Sequence, residues 1–151
     1  ERIGRPRRMD FGELQASGIP CYPPRIGLPY PSFVSEIDTD GNEVAGIRAT
    51  ELRVPLCTYM GWNPRHADNG APGDIMLMMG SSVPFARTSA ERERNADPRR
   101  SIDERYTSKE SFLDEVRRAA QDLVMQRHLL EEDIDTIVER ASQCWNWVHT
   151  P

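Results

Sequence analysis

The two adjacent serines at positions 81 and 82 come closest to a catalytic nucleophile. Residues 80–84 read Gly-Ser-Ser-Val-Pro, which approaches the Gly-x-Ser-x-Gly string that presents a serine at a sharp strand-to-helix turn. The second glycine of that string is missing, and Pro84 stands where the helix should start. We therefore expect that neither serine is a nucleophile, and the sequence assigns no catalytic residue.

Three histidines could act as bases or metal ligands. His66 lies in a polar loop beside Asp68, His128 lies near the end of a predicted helix, and His149 is close to the end of the chain. None has the spacing of paired metal ligands, and a metal at His66 and Asp68 would need two more ligands. We expect surface or helix-end positions for all three, with no metal and no cofactor.

Acidic residues cluster at two places. Asp38 and Asp40 belong to an Asp-Thr-Asp-Gly-Asn sequence, but a calcium loop counted from Asp38 needs glycine at position six and glutamate at position twelve. Glycine is at position four and Ala49 at position twelve, so the Asp-Gly pair predicts a hairpin turn. The cluster at residues 131–135 suits a helix N-terminus, but the sequence does not separate that role from a catalytic acid pair.

A short aromatic segment is the best candidate for substrate contact. Tyr59, Trp62 and Asn63 surround Gly61, and aromatic walls with an amide are typical of small-molecule pockets. The alternative is that Tyr59 and Trp62 are core anchors at the end of a strand.

Composition and charge exclude several classes of function. The chain has 151 residues, three widely spaced cysteines and a formal net charge of −5. The basic excess that binds nucleic acid is therefore absent, and the cysteines predict no disulfide framework. The longest apolar run, at residues 75–79, is far shorter than the roughly 20 residues of a membrane span. The compartment is left open.

The first half of the chain is rich in proline and glycine, which predicts extended segments, turns and short strands. Five prolines between residues 20 and 31 disfavour helices and central strands. Residues 1–31 are therefore expected to form an extended arm or a disordered linker. An extended arm could be anchored to a surface by Tyr22, Ile26, Leu28 and Tyr30. Residues 32–87 are expected to hold a β-hairpin (strands at 32–37 and 43–47), a half-buried strand over 52–58 and a buried strand at 75–79.

The second half, residues 88–151, predicts helices. Thr88 or Ser89 can cap a short helix that stops near Asn95, and capping boxes begin at Ser101 and Thr107. Two amphipathic stripes then predict an antiparallel helical hairpin, with these apolar residues: Phe112, Val116, Ala119, Ala120, Leu123, Val124, Ile134, Ile137, Val138, Ala141 and Trp145. The fold class is thus α+β, with a Pro-rich N-terminal arm, a β-hairpin with short strands, and a C-terminal helical hairpin.

Three stretches, at residues 40–48, 54–63 and 80–106, give the chain a family resemblance. They include Asp-Gly-Asn-Glu-Val-Ala-Gly-Ile-Arg, Val-Pro-Leu-Cys-Thr-Tyr-Met-Gly-Trp-Asn and Gly-Ser-Ser-Val-Pro-Phe-Ala-Arg-Thr. In order and spacing they resemble the C-terminal part of the α/β-hydrolase domain family, type ten, over residues 29 to about 141. The sequence departs from that pattern at Cys57, Met60 and Pro64.

The resemblance implies a serine hydrolase acting on esters or related acyl compounds. In that family the nucleophile and the catalytic histidine lie upstream of these stretches, so no catalytic residue is carried over to this chain. The expectation is a C-terminal segment that packs on a hydrolase core of the same protein and helps to shape the site for a small ester substrate. The alternative is an independent α+β module that binds another protein.

Overall fold

The computed structural model describes residues 6–31, 33–71, 74–76 and 78–150. The chain divides into two compact units. We call residues 1–34 with 63–77 the arm unit, and residues 35–62 with 78–151 the helical unit. In chain order the elements are β1 (Arg7–Asp10), β2 (Arg25–Pro29), α1 (Thr50–Arg53), β3 (Cys57–Met60), β4 (Asn63–Pro64), β5 (Ile75–Met76), β6 (Ser81–Pro84), α2 (Ser89–Arg94), α3 (Ile102–Arg105), α4 (Lys109–Met125) and α5 (Ile134–His149).

Two small antiparallel sheets make up the arm unit, β1 with β2 and β4 with β5. The pairing of β1 with β2 differs from the expected unpaired arm. Both strands of a two-stranded sheet are edges, where proline is tolerated: Pro29 faces Arg7 at the end of the ladder, and the Tyr30 N–H donates to the Pro6 carbonyl at 3.0 Å. The side chains proposed as anchors, among them Tyr22 and Leu28, are exposed.

The expectation of a buried strand at residues 75–79 is wrong. Within the described part of this run, strand structure is limited to Ile75 and Met76, whose partner is the two-residue β4. Met78 is 96 % exposed and Met79 is also exposed. Leu77 lies outside the described residues. Apolar character alone did not decide burial here, since burial requires a packed neighbour.

In the helical unit, β3 pairs antiparallel with β6. The strand expected over residues 52–58 begins only at Cys57, because Leu52 and Arg53 belong to α1 and residues 54–56 form an irregular connection. Two arginines hold this helical turn: the Arg53 Nε donates to the Arg48 carbonyl at 2.9 Å, and the Arg48 guanidinium donates to the Leu52 carbonyl. Burial is continuous over residues 54–58 rather than alternating, so the segment packs on both sides.

The Asp-Gly turn is present, but its flanking strands are reduced to one bridge between Ile37 and Glu43. Ser32, the start of the expected first strand, lies outside the described residues. The Asp38 side chain accepts from the N–H groups of Asp40 and Asn42, both at 2.9 Å. Gly41 adopts φ 79°, a left-handed conformation that favours glycine.

The helical half follows the sequence closely. Thr88 caps α2, and Ser101 with Glu104 forms a capping box at α3. Ser108, one residue later than expected, caps α4 by accepting from the Ser111 N–H at 3.1 Å. The helices α4 and α5 pack on each other as a hairpin, so the mixed α+β class and the helical hairpin are confirmed.

The core lies between this hairpin and β3. The stripe of α4 is buried at Phe112, Val116, Ala119, Ala120 and Leu123. By contrast, the inner face of α5 is only half-buried along most of its length, with Val148 as its one buried residue. No helix in the described part of the chain is long and apolar enough to cross a membrane.

Candidate functional site

A cavity of about 190 Å³ opens in the helical unit, between α1, β3, α4 and α5. It exists because α5 does not close fully on the core: Ile137, Ala141 and Cys144 follow one another at helical spacing on its inner face, and all three are half-buried. Ala141 is small and leaves room against α4. The apolar part of the wall consists of Val54, Leu56, Phe112, Val116, Ile137 and Ala141.

A phenol and a thiol, from Tyr59 and Cys144, form the polar part of the wall near β3, and a second thiol, from Cys57, is buried beside them. Cys57 is fully buried, whereas Tyr59 and Cys144 are half-buried and line the cavity. Both cysteines are free thiols. The three side chains are close enough to influence one another's ionisation although 87 positions separate the cysteines in sequence.

The pKa values of the two cysteine thiols shift in opposite directions. Hydrogen bonding with Cys144, together with burial, raises the pKa of the Cys57 thiol. The same hydrogen bond lowers the pKa of Cys144, because the Cys57 S–H stabilises the Cys144 thiolate. Burial raises the pKa of the Tyr59 hydroxyl, so that this group is a neutral hydrogen-bond donor at ordinary pH.

Two side chains of opposite charge lie at the rim of the cavity. Glu51 and Arg140 both line the opening and both are exposed. The Thr50 hydroxyl donates to the Glu51 carboxylate at 3.1 Å. The opposite charges leave the entrance close to neutral overall.

Of the residues predicted to contact substrate, the structure places only Tyr59 at the cavity. Trp62 is half-buried, and its carbonyl accepts from the Ser81 hydroxyl at 2.9 Å. Asn63 belongs to β4 in the arm unit, opposite Met76. Neither Trp62 nor Asn63 lines the cavity, and a role in binding substrate stays a prediction for all three.

The serines at positions 81 and 82 lie within β6, paired with Met60 and Tyr59. They are therefore part of a ladder rather than of a strand-to-helix turn, which agrees with the reasoning from the missing second glycine. Gly80 is needed for another reason, because a Cβ at this position would stand 2.8 Å from the Met60 carbonyl oxygen. This glycine allows close approach of two strands and does not form a nucleophile turn.

His66 is the histidine nearest to a catalytic arrangement, because its Nδ1 lies 3.5 Å from the Asp68 carboxylate. However, Nδ1 also accepts from the Asp68 N–H at 3.3 Å. The neutral ring then carries its proton on Nε2 and has no free lone pair there for a general base. Both side chains are largely exposed.

The other two histidines lie at or beyond helix ends, although His128, expected in the last turn of the long helix, lies three residues after α4. His128 follows α4 and is exposed, and His149 stacks on Trp145 at the end of α5. The acidic cluster at residues 131–135 precedes and begins α5, and Asp135 pairs with Arg117 at 2.9 Å. Among the described residues, no serine hydroxyl is hydrogen-bonded to a histidine, and no three potential ligand side chains converge to hold a metal ion.

A second, polar depression on the helical unit is held by ion pairs. Arg105 pairs with Asp40, and Arg48 pairs with Asp38 at 2.9 Å. Since these guanidinium groups already have carboxylate partners, the depression supports the Asp-Gly turn and offers little to a ligand.

Sequence reasoning did not identify Cys144, which lines the cavity, or Cys57, which is buried beside it. Cys144 falls three residues after Ala141 on the apolar stripe of α5, a pattern sufficient to predict its partial burial. Cys57 is fully buried, although the alternation expected over residues 52–58 placed it on the face opposite Leu56. Their closeness to one another depends on how α5 packs against β3, which periodicity does not encode.

Comparison with known proteins gives one match. A family model described as an alpha/beta hydrolase domain matches residues 6–139. A search of curated proteins and a search of solved structures each found no match.

Proposed function

The chain belongs to the α/β-hydrolase domain family, and from this membership we propose that it is part of a serine ester hydrolase whose nucleophile and catalytic histidine lie in another part of the protein. The chain would pack on that catalytic core as its C-terminal segment and help to shape the site for a small ester. Two observations support this: the family match, and the lack of a serine–histidine arrangement among the described residues.

The state of the arm unit is the observation that carries the packing part of the proposal. Every side chain of this unit that the structure describes is exposed or half-buried, so the described part of the unit contains no buried core. Exposed apolar side chains on this scale mark an interaction surface. Large side chains exposed in the arm unit are Met9, Leu14, Ile19, Tyr22, Ile26, Leu28, Tyr30, Phe33, Val34 and Met76.

A hydrolase core is the partner that suits this surface. Two-stranded sheets are marginal in water by themselves and gain stability by packing against a larger body. A segment of the same protein is also present at a high effective concentration, which lowers the entropic cost of the association. The contribution of Tyr59, Trp62 and Asn63 to the substrate site is part of this proposal.

Labelling with a fluorophosphonate and hydrolysis of p-nitrophenyl acetate test the proposal. The 151-residue chain should be neither labelled nor active. A protein translated from the same coding frame extended upstream, through a Gly-x-Ser-x-Gly string, should be both. Stoichiometric labelling of Ser81 or Ser82 would contradict the proposal, as would an extended frame without such a string.

Amide hydrogen exchange tests the packing separately. In the extended protein the amides of β1 and β2 should exchange much more slowly than in the 151-residue chain, because their side chains become covered. Amides of α4, which are already in the core, serve as the internal control and should change little. Equal exchange of β1 in both proteins would favour the alternative, an independent α+β module whose exposed surface binds another protein.

A further inference from the structure

We propose that the cavity between α1, β3, α4 and α5 is a binding site for small uncharged carbonyl compounds, with a monocyclic or short-chain apolar body. The Tyr59 hydroxyl would donate a hydrogen bond to the carbonyl oxygen. The proposal rests on the helical unit alone, and it goes beyond the proposed function because it needs no catalytic core.

The size of the cavity limits the ligand. An engineered apolar cavity of about 150 Å³ in another protein stays dry and binds benzene. The cavity here measures about 190 Å³, which leaves room for a six-membered ring and a substituent of about two or three heavy atoms. A long acyl chain or a fused ring system would not fit without movement of α5.

The walls select for a neutral ligand. Six of the lining side chains are apolar, and Phe112 and Val116 are 2 % exposed. An ion transferred into such surroundings without a partner is strongly disfavoured. At the rim, Glu51 and Arg140 offer opposite charges, so neither a carboxylate nor an ammonium ligand is favoured by the entrance.

The phenol supplies the polar contact. The described residues provide the Tyr59 hydroxyl with sulfur neighbours, Cys57 and Cys144, and sulfur is a weak acceptor. A carbonyl oxygen is a stronger acceptor for a phenol that stays protonated. A ligand carbonyl placed beside Cys144 would therefore improve on the hydrogen bonding that this hydroxyl has within the protein.

Cys144 makes the site measurable in the natural chain. It lines the cavity, whereas Cys21 is an exposed cysteine of the arm unit. Acetophenone should slow the alkylation of Cys144 by iodoacetamide, about twofold at a concentration equal to Kd, and should leave the alkylation of Cys21 unchanged. Peptide mass spectrometry separates the two sites.

Two matched probes and three variants test the ligand class. Ethylbenzene, which lacks the acceptor, should bind more weakly than acetophenone, and benzoate should not protect Cys144. Tyr59→Phe should weaken acetophenone about two- to tenfold and leave ethylbenzene unchanged. Tyr106→Phe, which removes the hydroxyl donating to the Pro55 carbonyl at 3.0 Å, is the control outside the cavity. Ala141→Leu fills the space and should abolish binding of both neutral probes.

The natural chain alone can overturn the proposal, even if a variant fails to fold. Equal protection of Cys144 and Cys21, or protection by benzoate as strong as that by acetophenone, would refute it. So would equal binding of acetophenone and ethylbenzene. None of these results depends on ester hydrolysis, so a failure here leaves the proposed function standing, and an inactive extended protein leaves the cavity site standing.

Discussion

Asn42 should be among the most sensitive positions of the helical unit. Its side chain is fully buried and acts as a substitute for a neighbouring strand. The amide nitrogen donates to the Cys57 carbonyl at 3.1 Å, and the amide oxygen accepts from the Tyr59 N–H at 2.8 Å. One side chain thus satisfies two backbone groups on the free edge of β3.

The structure sets the size of the effect of Asn42→Ala. The substitution leaves the buried Cys57 carbonyl and the partly buried Tyr59 N–H without their partners, and each such loss costs about 1–3 kcal/mol when the group is fully buried. We therefore expect the free energy of unfolding to fall by roughly 2–5 kcal/mol, a large part of the about 5–15 kcal/mol typical of a domain. Asn42→Asp keeps the acceptor for Tyr59 but loses the donor for Cys57, and the new carboxylate must be buried. It should therefore also destabilise.

Urea unfolding followed by far-ultraviolet circular dichroism measures this. The control is Asn146→Ala, since the Asn146 carboxamide accepts from Lys109 at an exposed position, where a loss below about half a kcal/mol is expected. A similarly small effect of Asn42→Ala would show that the amide does not hold the edge of β3. The reasoning from buried partners would then be refuted.

Three further predictions concern other parts of the chain. Leu123→Ala, at a side chain that is 4 % exposed, should lower the free energy of unfolding by roughly 2–5 kcal/mol, and a loss below about half a kcal/mol in urea would mean that the stripe of α4 is not packed. The Arg99 side chain lowers the pKa of Asp97 from its ordinary 3.8. The pair therefore stabilises the fold above about pH 4, and this stabilisation is lost as pH falls through the lowered pKa. The difference in unfolding free energy between the natural chain and Asp97→Asn should shrink in acid titrations below about pH 4. If Asn63 contacts substrate, Asn63→Ala in the catalytically complete protein should reduce kcat/KM more than tenfold, about 1.4 kcal/mol, with Tm nearly unchanged, whereas unchanged kinetics with a lowered Tm would assign it to structure.

Local signals in the sequence were enough for the helices. Caps at Thr88 and Ser101 and the stripe from Phe112 to Leu123 depend on contacts within a few residues or on period 3.6, and the structure agrees with them. The division into segments 1–31, 32–87 and 88–151 stays a prediction, because it rests on differences in amino-acid composition along the chain.

The strands were harder to predict, because a strand forms only where a distant segment of the chain pairs with it. The run at residues 75–79 is apolar enough for burial, yet among its described residues Met76, Met78 and Met79 are exposed and Ile75 is half-buried. The alternation from Leu52 to Thr58 was a false signal, since arginine–carbonyl hydrogen bonds close α1 instead. In the candidate site, Tyr59 lines the cavity, and its contact with a substrate stays a prediction. The meeting of Cys57 with Cys144 depends on the long-range packing of α5.

The pairing of β3 with β6 also defines where the chain can be shortened. Met60 faces Ser81 as the last pair of this ladder, so the polypeptide leaves the helical unit after one strand and re-enters it at the neighbouring position of the other. The intervening residues 61–80 therefore behave as an insertion between the two arms of a hairpin. An Asn-Gly turn is the shortest natural link between such ends, and the shorter loop costs less entropy to close. Residues 61–80 could thus be replaced by a two-residue turn, or by a foreign segment, without changing the register of β3 and β6.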